Sequence, residues 1–395
     1  MNGFLAQVMD LQRAYTWRVT PEMERRGRIV KREVPGALEA HRAAMAGALD
    51  IPVERVLIEG ADGVGRKSVV PWVRVSDVTR SPSAMDGWYV VLLFAAGGER
   101  AYLTLMQGTT YWTGTELRSR GAEALAARVD WAYPHVAEAA EGRGGLLRRI
   151  ALPGGKKLGR AYELGTVVAL EYRRDALPDT TGFVDDLLFM AGLLRRVYAA
   201  ETTATYIPGD PIPEVLDAEV SAERAAGRSI SEPRPRPAAA TRSGQGFLLS
   251  AVERRLIERH SVRMATEHFE AQGWKVADVG ANQPYDLHLT RDDATRGDAT
   301  GGDVTSRRPA PVEELHVEVK GTTSLGQAVV LTRAEVEAQR EFAPRNALVI
   351  VHSIRLDRSG AEVTAEGGVL HCTSPWRIDQ PDLTPISYRY RTDLA

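Results

Sequence analysis

Two short segments in the last third of the chain bring together residue types that can hydrolyse a phosphate ester. One is Tyr285-Asp286-Leu287-His288-Leu289, and the other is Leu315-His316-Val317-Glu318-Val319-Lys320-Gly321. Both alternate in polarity as half-buried strands do. Asp286 and His288 therefore share one face, while His316, Glu318 and Lys320 share another that is anchored by Val317 and Val319 on the reverse side. Two carboxylates that converge form a site for a hard cation such as Mg²⁺, which takes oxygen ligands and keeps several waters. A lysine beside them can orient or deprotonate a water and can stabilise charge developing on a phosphate. The competing explanation of the same three charges is an ion-pair network joining two strands. Buried ion pairs add little net stability over apolar packing, so stability alone is a weak reason to keep them there.

The elements around these segments read as one domain. Ser250 and Glu253 stand in capping-box spacing, which predicts a long helix ending at Gly273. Strands are expected at Trp274 to Val279, Tyr285 to Leu289, Leu315 to Lys320 and Ala328 to Leu331. Thr332 and Glu335 repeat the capping-box spacing and predict a helix that stops before Pro344. Asn346 to Ile354 is a continuous apolar run, expected of a strand covered on both faces. Asp292 to Pro311, rich in Asp, Thr, Gly, Arg and Pro, is expected to be a long loop.

Composition sets the wider limits. At 395 residues the chain has room for two or three domains, and 44% hydrophobic with 26% charged residues describes a soluble globular protein. No apolar run is long enough to span a bilayer and the N-terminus lacks a secretory pattern, so a cytoplasmic location without membrane attachment is expected. The single Cys372 excludes an intramolecular disulfide and a thiolate zinc site. A net charge of −2 provides no global basic footprint, leaving local clusters: Arg25, Arg26, Arg28, Lys31 and Arg32, and Arg143, Arg148, Arg149, Lys156, Lys157 and Arg160. Pro208, Pro211, Pro213 and the alternating Pro/Arg run from Pro233 to Pro237 mark residues 208–246 as a linker between domains at 1–207 and 247–395, with a short charged stretch inside it that could be helical.

In the N-terminal domain, helical spacing at Phe4 to Trp17, Ala37 to Leu49, Glu116 to Asp130 and Phe183 to Ala200 surrounds strand-like runs at Arg55 to Ile58, Val69 to Val75, Trp88 to Ala95, Arg100 to Met106 and Thr166 to Tyr172. This order predicts an α+β domain. Aromatics cluster on the strands, and adjacent Trp88 and Tyr89 must point to opposite faces. On a sheet with one buried face only one of them can be core, and the other is either packed in the ordinary way, the commoner outcome, or part of a wall that stacks on a base. Gly60 to Ser68 nearly fits a phosphate-binding loop. However, Arg66 separates the glycine from Lys67, and the loop leads into a strand where a helix is required, so no nucleoside triphosphate site is expected.

The C-terminal segment resembles the PD-(D/E)XK nuclease superfamily, an α/β fold of helix, mixed central sheet and helix. It is most similar to the C-terminal domain of the plant NO VEIN protein, which recurs in bacterial defence proteins. Ile257-Glu258, Gly273-Trp274-Lys275-Val276, Pro284-Tyr285-Asp286, Glu318-Val319-Lys320-Gly321-Thr322 and Leu331-Thr332-Arg333-Ala334-Glu335 carry the resemblance. It implies that Asp286 and Glu318, with the Val319 carbonyl, bind Mg²⁺ or Mn²⁺. It also implies that Lys320 positions the attacking water and that Glu258, in preference to the capping Glu253, completes the acidic set. His288 and His316 take supporting places.

Residues 1–205 resemble the N-terminal DNA-binding domain of the modified-cytosine restriction GTPase McrB. The matching segments are Gly63-Val64-Gly65, Pro71-Trp72, Gly87 to Leu93, Tyr102-Leu103-Thr104-Leu105 with Gln107-Gly108, and the Phe183 to Tyr198 helix. In that family a modified cytosine is flipped into an aromatic pocket. By position Trp72, Tyr89 and Leu93 would line the pocket, with Val64 where the prototype carries an aromatic and Trp88 or Trp112 as further walls. The expected protein is a type IV, modification-dependent restriction endonuclease acting on double-stranded DNA with modified cytosine. It would work without a nucleoside triphosphate motor, and cutting both strands would require a homodimer or two binding events. The alternatives are a non-cleaving reader of modified DNA and a nuclease acting on RNA.

Overall fold

The computed structural model describes residues 1–63, 66–112, 117–154, 156–225, 249–292, 312–359 and 362–386, excepting the side chains of 112, 117, 156–157, 223–225, 251, 292 and 312. Val64, the side chain of Trp112, the expected loop beyond residue 292 and the 226–246 part of the expected linker lie outside the described residues. The chain divides into two compact units at Asp210/Pro211.

The first unit is built on an antiparallel sheet of six strands in the order β1 (Val56–Ala61), β2 (Trp72–Asp77), β3 (Trp88–Phe94), β4 (Arg100–Gln107), β8 (Thr166–Arg173) and β7 (Leu146–Leu147). A hairpin of β5 (Thr110–Trp112) and β6 (Leu117–Ser119) stands apart from it. Val73, Val75, Trp88, Val90, Leu92 and Phe94 point into the main core. There they meet α1 (Asn2–Gln12), α4 (Arg42–Leu49), α5 (Ala122–Ala132) and the long α8 (Thr180–Thr203). Tyr89, Val91, Leu93, Tyr102 and Met106 point the other way, into a second apolar cluster with Ile150, Leu152 and Tyr162 of α7 (Lys156–Gly165).

The sheet is therefore buried on both faces, which corrects the premise that only one of Trp88 and Tyr89 can be core. Trp88 is 0% and Tyr89 2% exposed. The Tyr89 hydroxyl is satisfied by donating to the Ala84 carbonyl at 2.8 Å. A strand buried on both sides reads as an unbroken apolar run, and Trp88–Phe94 is one.

Between α1 and α4 the chain forms α2 (Pro21–Arg28), a π-helical turn (Ile29–Glu33) and α3 (Val34–Glu39). Arg26 on α2 is fully buried against Asp62 and Gln12, so it leaves the basic cluster expected there. Arg25, Arg28, Lys31 and Arg32 remain exposed. In the second cluster, Arg143 pairs with Asp186, Arg160 with Glu163, and Arg148 stacks over Tyr133. The near-phosphate loop joins antiparallel β1 to β2, with Lys67 held by Asp62 at 3.1 Å.

The second unit starts earlier than the sequence implied. Residues 213–225, inside the expected linker, form α9 (Pro213–Ala225), which belongs to this unit. Leu216 and Val220 on α9 are buried, Asp217 pairs with Arg254, and the Thr322 hydroxyl donates to Glu214 at 3.2 Å. The sheet runs β13 (Thr364–Thr373), β12 (Asn346–Asp357), β11 (Val312–Gly321), β10 (Leu287–Asp292) and β9 (Lys275–Asp278). Only β11 and β12 are parallel. Helix α11 (Arg333–Phe342) lies between them in the chain, as a parallel pair requires a crossover.

Both expected capping boxes form, at Ser250 for α10 (Ala251–Glu270) and at Thr332 for α11. Ala328 to Leu331, expected as a strand, is irregular, and β13 was not anticipated. Gly367 and Gly368 have positive φ angles of 65° and 100°, and opposite them the pairing with β12 skips Ser353, itself at a φ of 57°, while keeping the same register on either side.

Helix α10 packs Ile257, Ala265 and Phe269 onto the face formed by Leu287, Leu289, Val317 and Val319. Its close approach depends on Gly321, where a Cβ would overlap Ser261 Oγ and lie 2.8 Å from Ile257 Cγ2. Gly321→Ala is expected to destabilise this unit by about 1–3 kcal/mol, as overpacking does. Thermal denaturation checks this, and an unchanged midpoint would contradict the packing described.

Candidate active site

Asp286 stands one residue before β10. The Leu287↔Val317 register, continued by one pair, sets it across from Glu318 on the face opposite α10. The backbone holds it there. Its N–H donates to the Val317 carbonyl at 3.0 Å, its carbonyl accepts from Val279, and its Oδ2 accepts from the Val319 N–H at 2.7 Å. Oδ1 faces Gly280, where a Cβ would come within 3.2 Å of that oxygen, so glycine leaves room around it.

Glu318 is 1% exposed on an inner strand. Its Oε1 meets Lys320 Nζ at 2.7 Å, and its Oε2 has no hydrogen-bond partner among the described residues. Lys320 Nζ also donates to Glu335 Oε2 at 2.9 Å. That same oxygen closes the α11 capping box by accepting from the Thr332 N–H. Glu335 is the site residue that sequence reasoning missed as such. The available signal was its capping spacing, which explained it locally and concealed its contact with Lys320.

The two carboxyls are hard to ionise together. Burial pushes Glu318 up to about 8 against the pull of Lys320, and the neighbouring Asp286 charge pushes the same way. Burial also raises Asp286, opposed by its bond from Val319 and by Lys320, and the charges of Glu335 and Glu258 add to the rise. Lys320 is raised: its desolvation is outweighed by Glu318 and Glu335. Glu258, exposed on α10, is thus close enough for its charge to act on Asp286. Glu253 is engaged by its own capping box and by Arg358 at 2.7 Å.

His288 and His316 face one another across β10 and β11 with ring centroids 5.1 Å apart. Tyr285 and Phe342 complete an aromatic group at the far end of this face, and His316 stacks on Phe342 at 3.8 Å.

A hard cation fits this donor set. Asp286 has an oxygen with space around it, and the strand register sets the Glu318 carboxyl across from it on the same face, so two hard oxygen donors face one place. Among the described residues no three of His, Cys, Asp and Glu stand close enough to hold a metal together. The chain therefore offers a pair of carboxylates, and water and phosphate would supply the remaining ligands.

In the first unit, Tyr89 and Leu93 share a face, and Trp72 pairs with Leu93 across β2 and β3. Trp72 is half-buried at the margin of this cluster, which also holds Tyr162, whose hydroxyl burial pushes up to about 12. Trp88, considered as a further wall, points into the opposite core beside Arg128, Trp131 and Tyr198, because adjacent strand residues alternate faces.

A carboxyl whose folded pKa is raised binds more protons in the folded than in the unfolded state, so stability falls as pH climbs from about 4.3 towards the folded value. Glu318→Gln removes this titration. Without added metal, its melting temperature should gain on the wild type as pH rises from 5 to 9. A difference between the two that is independent of pH would contradict the raised pKa.

Comparison with protein families matches residues 14–199 to the MrcB-like N-terminal domain and residues 257–363 to the C-terminal domain of protein NO VEIN. Comparison with curated proteins and with solved structures gives no match. The chain joins an MrcB-like N-terminal domain to a NO VEIN C-terminal domain.

Proposed function

We propose that the chain is a modification-dependent, type IV restriction endonuclease. Its N-terminal domain recognises 5-methylcytosine in double-stranded DNA by extruding the base, and its C-terminal domain hydrolyses phosphodiester bonds with Mg²⁺ or Mn²⁺. The observation that carries the reading is the convergence of Asp286, buried Glu318 and Lys320 on one sheet face, in a chain that begins with an MrcB-like domain.

Asp286 would bind the cation through Oδ1, since Oδ2 is taken by the Val319 N–H. Glu318 would bind through a carboxylate oxygen, with the Val319 carbonyl as a further ligand. The ion would supply Lewis-acid stabilisation of the phosphate and a more acidic water. Lys320, poised between Glu318 and Glu335, would orient that water towards phosphorus and offset charge on the phosphate. Glu258 would act from the rim of the site through its charge.

Base recognition would use Trp72, the half-buried member of the group, as the entry wall, with Tyr89 and Leu93 beneath it. Stacking on an aromatic is worth about 1–3 kcal/mol per base, which offsets an unstacking cost of a few kcal/mol. No nucleoside triphosphate is required in this scheme, and a homodimer would cut both strands.

One observation favours the alternative of a reader that does not cut. Lys320 is already neutralised by two carboxylates, an arrangement that also suits a purely structural ion-pair network.

Cleavage of methylated and unmethylated duplexes with Mg²⁺ or Mn²⁺ separates the readings. Asp286→Ala and Lys320→Ala should each abolish cutting while leaving binding to methylated DNA intact. Undiminished cutting by both variants would sink the site. Trp72→Ala should weaken binding to methylated duplex by about 1–3 kcal/mol, roughly 5- to 150-fold, with little effect on unmodified duplex. Equal losses on both duplexes would remove Trp72 from the pocket.

A further inference from the structure

Helix α11 encloses a set of polar atoms that the scheme above does not use. Gln339 is 0% exposed, and neither Nε2 nor Oε1 of its side chain has a hydrogen-bond partner among the described residues. Glu318 Oε2 and His316 Nδ1 are in the same condition. A buried polar atom without a partner costs about 1–3 kcal/mol, so four in one layer require an explanation.

Two contacts locate Gln339. Glu335, at the start of α11, is tied to Lys320, and Phe342, at its end, stacks on His316, so the helix runs antiparallel to β11. Gln339 stands four residues after Glu335 and three before Phe342, on the same helical stripe. The residue of β11 on this face between Lys320 and His316 is Glu318. The atoms are also complementary, because an amide N–H can serve a carboxylate oxygen while its carbonyl accepts from an imidazole N–H.

We propose that Gln339 is the positioning residue of Glu318. When a cation binds, the Gln339 Nε2–H would take Oε2 and its Oε1 would take the Nδ1–H of His316, contacts that the present side-chain positions do not make, and Glu318 Oε1 would be left to turn from Lys320 to the cation. The inference rests on the proposed metal site and deepens it. Gln339 does not touch the cation itself. It fixes the carboxylate that does, and groups in this relation to a ligand typically alter metal affinity about 10–100-fold.

Mn²⁺ binding to the full-length protein without DNA, followed by electron paramagnetic resonance, tests this independently of cleavage. Gln339→Met keeps the side-chain volume and removes both polar atoms, so a merely structural Gln339 predicts unchanged or higher thermal stability and unchanged Mn²⁺ affinity. A positioning Gln339 predicts the same stability with affinity lowered about 10–100-fold. Gln339→Glu, which keeps an acceptor but loses the donor, should weaken binding as well and serves if the methionine variant folds poorly. Unchanged affinity in a folded variant overturns the proposal, and tighter binding by Gln339→Glu overturns it in favour of direct ligation. If the unaltered protein binds no Mn²⁺ that depends on Asp286, the metal site fails and this inference fails with it. If the unaltered protein binds Mn²⁺ and Gln339→Met binds it equally well, only the role of Gln339 fails.

Discussion

Glu318 is a carboxyl side chain buried on an inner strand, and the arrangement of the C-terminal unit follows from that constraint. A carboxylate removed from water must find a counter-charge or take up a proton. Lys320 supplies the charge from two residues along the same strand, and Asp286, opposite, opposes ionisation. Lys320 is held in turn by Glu335, whose carboxylate also caps α11. One oxygen thus links the start of a helix to the charge state of the strand beneath it. Apolar packing would serve stability as well as this ion-pair geometry does.

The two faces of this sheet divide the labour. Leu287, Leu289, Val317 and Val319 pack against α10 and make the unit stable. The alternate residues of the same strands carry Asp286, His288, His316, Glu318 and Lys320 beneath α11. Because strand side chains alternate, the apolar face sets the register, and the register places Asp286 against Glu318. Gly321 ends the motif where α10 approaches too closely for any side chain.

The N-terminal sheet follows a different rule, since helices and α7 cover both of its faces. Its aromatic residues are consequently core first. Trp88 and Tyr89 serve two separate clusters, and of the expected pocket residues whose side chains are described only Trp72 is half-exposed. At the end of this unit Asp210 is clamped by Arg120 and Arg128. Only Pro211 and Ile212 separate it from α9, which is integral to the following unit.

Features governed by neighbouring residues were legible in the chain alone. The two capping boxes, the alternation that puts Glu318 and Lys320 on one face, and the apolar run Ala347 to Val351 in β12 are written in neighbouring residues, and the elements they predict form. Features that depend on what approaches from elsewhere in the chain were not. Whether Tyr89 is buried depends on α7 covering its face, and whether Arg26 is a surface charge depends on Asp62 thirty-six residues away. Glu335 reads as a cap until α11 folds over Lys320, and the glycine pair in β13 conceals a strand that only pairing with β12 stabilises. Residue type and short-range period determined which side chains could do chemistry. The tertiary structure decided which of them meet, because burial and counter-charge are supplied by segments remote in sequence.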